Sequence, residues 1–112
     1  MGKKTYSVFW TKSAQNDLLK IIDYIDEDSK INAKKIFQKI KLRAIEIENF
    51  PNKGRIVSEF QEYNLTKYRE IIVSPWRLIY TFDDDKVYIL CVIDSRRDIE
   101  ELLFHKLIEF EK

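Results

Sequence analysis

The sequence predicts an α+β fold in which a helical hairpin packs on a mostly antiparallel sheet, in the order β-α-α-β-β-β-α. Three observations carry this. A short alternating apolar segment opens the chain. Two amphipathic segments follow, between about residues 12 and 49. Three β-rich runs then crowd into residues 68–93 with only short turns between them. Two glycines and two prolines in 112 residues are too few for an all-β chain built on tight turns.

Thr5–Trp10 alternates, with Tyr6, Val8 and Trp10 on one side, and this is strand spacing. Thr11 or Ser13 can cap a helix by accepting a backbone N–H. In that helix Ala14, Leu18, Ile21, Ile22 and Ile25 recur at helical spacing. Asp26-Glu27-Asp28-Ser29 breaks the pattern and offers a second cap. The next helix is expected from about Asn32 to Asn49, where Ala33, Phe37, Ile40, Ala44 and Ile47 form a stripe broadened by Ile36. Phe50-Pro51 stops it, because a residue before proline disfavours the helical region. Asn52 to Arg55 reads as a loop, and Ser58 to Lys67 as irregular and polar. Tyr68–Ser74, Arg77–Phe82 and Lys86–Ile93 read as strands of a meander, separated at Ser74-Pro75 and Asp83-Asp84-Asp85. The run Val87–Ile93 is apolar at almost every position, which predicts burial on both faces and a central place in the sheet. Ile99, Leu102, Leu103, Leu107 and Phe110 predict a closing helix over about residues 97–110. No linker or repeat divides the chain, so residues 1–112 are expected to form a single domain.

Composition excludes several classes. Apolar residues at 45% and aromatics at 13% are enough for a core. One cysteine, Cys91, leaves no intramolecular disulfide, and one histidine, His105, leaves no multi-His metal site. No cofactor or metal is expected. No apolar run approaches the roughly 20 residues that span a bilayer. The polar start at Met1–Tyr6 is unlike a signal peptide, so the expectation is a cytoplasmic protein. The net charge of +1 hides an asymmetry: residues 30–55 carry eight basic and two acidic residues, residues 56–112 eight basic and twelve acidic. A basic middle attracts nucleic acid or an acidic protein segment, or is simply a solvated helix face.

Several ordered pieces resemble the RelE/ParE family of bacterial type II toxin–antitoxin toxins, over roughly residues 6–100. Val8-Phe9-Trp10-Thr11-Lys12-Ser13-Ala14 with Asp17-Leu18 resembles the family's first strand and helix start, and Ile21–Ile25 its first-helix pattern. Phe50-Pro51-Asn52-Lys53-Gly54-Arg55 resembles its P-x-x-G-R loop. Tyr68–Val73 followed by Trp76–Tyr80 resembles its central hairpin, and Ile93-Asp94-Ser95-Arg96-Arg97-Asp98 its closing H-x-R-R-D segment. The resemblance implies a RelE/ParE-like fold. It also implies a growth-inhibiting toxin, of the kind linked to plasmid stabilisation, held inactive by a cognate antitoxin. Two activities are open. RelE-like members cleave mRNA at the ribosome and are ribonucleases; ParE-like members inhibit DNA gyrase and are not nucleases.

RNA cleavage through the 2′-hydroxyl needs a base, a phosphate clamp and help for the leaving oxygen. Histidine or carboxylate suits the proton steps and arginine the phosphate. By resemblance, Arg69, Arg77 and Arg96 fall on basic positions of the ribonucleases, as candidates for catalysis or a phosphate cluster. Arg55 and Arg97 join them as candidate target-binding residues. Ile71 stands where a catalytic lysine is found, Asp94 where many relatives have histidine, and Leu102 near a catalytic tyrosine. Glu59, Glu62 or Glu70 can substitute as base. Asp94 next to Arg96 and Arg97 also reads as an ion pair, and Arg69 and Arg77 can pair with Glu70, Asp94 or Asp98 at the sheet edge. Gly54-Arg55 can be a plain turn. Trp10, Trp76 and Tyr80 read as packing residues, Cys91 as a small buried hydrophobe and His105 as a surface residue.

This balance favours a ParE-like, gyrase-directed toxin. The alternatives are a RelE-like ribosome-dependent mRNA endoribonuclease, and a non-toxic nucleic-acid-binding or interaction module. The apolar surplus on the last helix calls for an antitoxin segment, a homodimer contact or completion of the core.

Overall fold

The computed structural model describes residues 5–63, 66–96 and 100–111. The strands are β1 (Ser7–Trp10), β2 (Arg55–Ile56), β3 (Arg69–Val73), β4 (Trp76–Phe82) and β5 (Lys86–Asp94). The helices are α1 (Lys12–Asp26), α2 (Lys30–Asn49) and α3 (Glu100–Glu111), and a 3-10 segment spans Ser58–Tyr63. Among the described residues the sheet order is β1-β5-β4-β3-β2. β1 pairs parallel to β5, and every other pairing is antiparallel. The fold is therefore the expected α+β arrangement on a mostly antiparallel sheet.

Both expected caps form. Thr11 accepts the Ala14 N–H at 3.2 Å and donates to the Ile89 carbonyl at 3.0 Å, so one side chain starts α1 and fastens it to β5. Ser29 accepts the Asn32 N–H at 3.1 Å, which starts α2 at Lys30, two residues earlier than periodicity alone suggests. Of the α2 stripe, Ala33, Ile40, Ala44 and Ile47 are buried and Ile36 partly so. Phe37 departs from the expectation. It is half exposed, at the margin of the stripe, with the Lys41 ammonium 5.9 Å from its ring.

The loop expected through Arg55 ends instead in a two-residue edge strand, and the stretch expected to be irregular contains the 3-10 segment. β5 is interior, as its composition predicts, but the middle place belongs to β4. A register shift opposite Ile79/Tyr80 sets Leu90 and Cys91 both on the face away from the hairpin. One core, with Leu18, Ile40, Leu78, Tyr80 and Ile89, lies under the hairpin. The other, with Phe60, Tyr68, Ile79, Cys91 and Leu103, lies under the 3-10 segment and α3. Trp10 and Trp76 are partly buried packing residues, and burial pushes the Cys91 thiol up in pKa.

α3 begins within the expected span; residues 97–99, and with them Arg97, lie outside the described residues. It is anchored by Leu103 and by Lys106, whose ammonium donates to Ser13 Oγ at 2.8 Å and Asp17 Oδ1 at 3.0 Å. Asp17 Oδ2 accepts the Val92 N–H at 3.1 Å. Because β1 ends alongside Ile89, the far half of β5 has an open edge, and this bridge from α1 to α3 closes it. No described helix is long and apolar enough to cross a membrane.

Candidate functional site

In β3 and β4, alternation sends Glu70 and Arg77 to the face that carries α3, because Glu70 stands opposite Ile79 and Arg77 opposite Ile72. They are diagonal neighbours, within reach of a long side chain. Arg77 Nε donates to Glu70 Oε1 at 2.5 Å, and its Nη2 also contacts that oxygen. The other edge of the guanidinium forks onto Glu59 of the 3-10 segment, Nη1 to Oε2 and Nη2 to Oε1, both at 2.8 Å. Glu70 Oε2 takes the exposed Arg55 Nε at 2.6 Å. The result is an alternating chain Arg55–Glu70–Arg77–Glu59 with Glu70 and Arg77 buried. The Arg77 guanidinium is the main reason the Glu59 carboxyl is lowered to about 2, against an opposing effect of burial. The same hydrogen bonds raise the Arg77 pKa.

The loop before β2 is locked to the same strands. The buried Tyr80 hydroxyl donates to the Pro51 carbonyl at 2.6 Å and accepts the Gly54 N–H at 2.9 Å. A Cβ on residue 54 would lie 2.5 Å from that hydroxyl and 2.6 Å from the Glu70 carbonyl oxygen, so only glycine fits. Arg69, on the other face from Arg77, donates to the Gly54 carbonyl at 2.7 Å. The residues of the P-x-x-G-R loop and of the hairpin are thus one clasp. Desolvation raises the Tyr80 pKa.

The arginines proposed as a phosphate cluster do not converge. Arg77 is enclosed by two carboxylates, Arg69 holds the loop, and the exposed Arg96 is held by Asp94, Nη2 to Oδ2 at 2.6 Å. Arg55 is exposed but already pairs with Glu70. Each described candidate base is in such a pair: Glu59 and Glu70 with arginine, Asp94 with Arg96. The side chain of Glu62 lies outside the described residues. Among the described residues no group of histidine, cysteine or carboxylate side chains has the geometry to hold a metal ion. A groove of about 710 Å³ runs between α1, the open edge of β5 and α3, with Ile21, Ile25, Trp76 and Val92 among its lining. Its rim charges Arg96 and Lys106 are both paired. From the sequence alone Tyr80 reads only as a packing residue. The signal that marks it is the glycine three residues after Pro51, which needs a partner pressed against it.

The fold is similar to that of solved toxin–antitoxin structures. The chromosomal ParDE toxin–antitoxin system from P. aeruginosa superposes with a TM-score of 0.65 at 20% identity, covering 81% of this chain and 97% of that one. The toxin–antitoxin complex RelBE2 from Mycobacterium tuberculosis gives 0.61 at 22% identity, covering 83% and 94%. These two define a class of fold. No curated protein matches the sequence. The family model of the ParE toxin of type II toxin–antitoxin systems, parDE, matches residues 8–99, and the chain belongs to this family.

Proposed function

We propose that this toxin arrests growth in the ParE manner, by acting on DNA gyrase, and is neutralised by a cognate antitoxin. The observation that carries the reading is the state of Arg77. Its fork, the group a ribonuclease of this fold would turn to the scissile phosphate, is occupied by Glu59 and Glu70. The candidate bases Glu59 and Glu70 sit in the same pairs, and a carboxyl held at about 2, as at Glu59, is a poor proton acceptor at neutral pH. The ParE family match supports the same side. The antitoxin follows from the family, and both solved neighbours are described as toxin–antitoxin systems.

The test is to induce the chain without antitoxin, map mRNA 5′ ends, and assay purified protein against gyrase supercoiling. Growth arrest with inhibited supercoiling and no new ends is expected. New ends within translated codons would replace this reading with the RelE-like one. Absence of arrest in cells would leave an interaction module.

A further inference from the structure

The face of the sheet away from the hairpin is only partly roofed. The 3-10 segment and α3 cover Ile79, Leu90 and Cys91, but the side toward β1 is open to water. There Phe9 of β1 stands directly opposite Tyr88 of β5. Their rings are 5.9 Å apart and within 25° of parallel. Phe110, near the end of α3, also packs on Tyr88, with centroids 5.9 Å apart. Phe9 is 46% and Phe110 38% exposed, while Tyr88 is rooted on the buried cluster beneath. Strand alternation fixes this arrangement: Tyr6, Val8 and Trp10 turn to the hairpin core, so Phe9 turns the other way. Three elements thus hold one aromatic row in solvent.

The row ends beside the turn from β4 to β5. Asp83, Asp84 and Asp85 are all exposed there, and the Asp83 N–H donates to the Lys86 carbonyl at 3.0 Å. Lys86 pairs with Asp85, and among the described residues Asp83 and Asp84 form no ion pair. Of the other cations on this side, Lys106 is taken by Asp17 and Lys67 lies over the Tyr68 ring; Lys12 is exposed at the start of α1. Single-stranded nucleic acid could stack on the rings, but its phosphates would meet the aspartates. A second copy could offer its lysines from α2, but that contact is head-to-tail and does not close into a dimer. A cationic protein surface satisfies both features. Its guanidinium or ammonium groups lie over aromatic rings and pair with carboxylates, and an enzyme that grips DNA must carry such groups. We propose that the aromatic row and the acidic turn form the face that docks on an arginine- or lysine-rich surface of gyrase. The partner rests on the proposed action on gyrase.

The test is binding of the full chain to purified gyrase holoenzyme. The wild type should bind, with affinity falling as salt rises. F9A/F110A should weaken binding about tenfold or more, because it removes the aromatic anchors. D83K/D84K should weaken it about tenfold, chiefly through the association rate. Both variants should melt close to the wild type, since the altered side chains stand at the surface. K34A/K39A, changed in the hairpin, should bind as the wild type does. Unchanged affinity in F9A/F110A, tighter binding by D83K/D84K, or binding indifferent to salt would overturn the surface assignment. So would an oligonucleotide held by the wild type and lost by F9A/F110A, or self-association that this variant abolishes. A wild type that does not bind gyrase removes the gyrase reading and this proposal with it. A wild type that binds, with both variants unaffected, removes the surface assignment alone.

Discussion

Two basic regions of this molecule have opposite fates. The arginines of β2–β4 and the lysines of α2 are equally prominent in the sequence. Arg77 is buried between Glu59 and Glu70, and Arg55 and Arg69 are tied to the same clasp, whereas Lys34, Lys35 and Lys39 stand in water without carboxylate partners among the described residues. What separates them is the periodicity of the element beneath. A strand inside the sheet sends every second side chain inward, so Arg77 must bring counter-charges with it. A helix with one buried stripe leaves its other side to solvent and to partners. Positive charge in a sequence is therefore a clue to binding only where the fold leaves it unmatched.

The largest effect should follow R77A, which leaves the buried Glu70 with only the exposed Arg55 as counter-charge. We expect about 3–5 kcal/mol of destabilisation by chemical denaturation; a loss under 1 kcal/mol would mean the clasp is not structural. G54A comes next, at about 2–3 kcal/mol, because the new methyl group meets Tyr80 and the β3 backbone. Acid should act on the same network. The Glu59 carboxyl is lowered in the folded state, so its contribution is complete above its ordinary value of 4.5 and is lost as the pH falls to about 2. E59Q should flatten the stability–pH curve in that window, and an unchanged slope would assign acid sensitivity elsewhere. Y80F, which removes the bonds to Pro51 and Gly54, should cost about 1–2 kcal/mol. Smallest of all, K34A and K39A should change stability by less than about 0.5 kcal/mol. A larger loss would show that these lysines serve the fold after all.

Much of the fold was legible. The stop at Pro51 and the three meander runs depend on local chemistry and stand with boundaries moved by a residue or two, while the structure selects Thr11 over Ser13 as the first cap and Ser29 from the run Asp26–Ser29 as the second. β2 was not legible, because two residues carry no periodicity and pair only once β3 offers an edge. Phe37 was misplaced because three- and four-residue steps fix a stripe but not where its margin meets solvent. Whether the candidate arginines share a face depends on strand parity, which the sequence alone does not fix. That Arg69 and Arg77 turn to opposite faces follows from the register of β3 against β4. The sequence offers the Arg77–Glu70 pair as one alternative, but the second carboxylate on Arg77, Glu59, comes from a segment whose pattern predicts no regular element.

The bridge at the open edge of β5 has a dynamic consequence. Asp17 holds the Val92 amide with one oxygen and the Lys106 ammonium with the other. Val92 is beyond the reach of β1, so its amide proton depends on that carboxylate for protection against exchange. Detachment of α3 would take the cation from Asp17, and weakening of the Asp17 contact would open the amide to water. The exchange rate of this one proton thus serves as a clock for the attachment of the C-terminal helix, readable while the rest of the sheet stays protected.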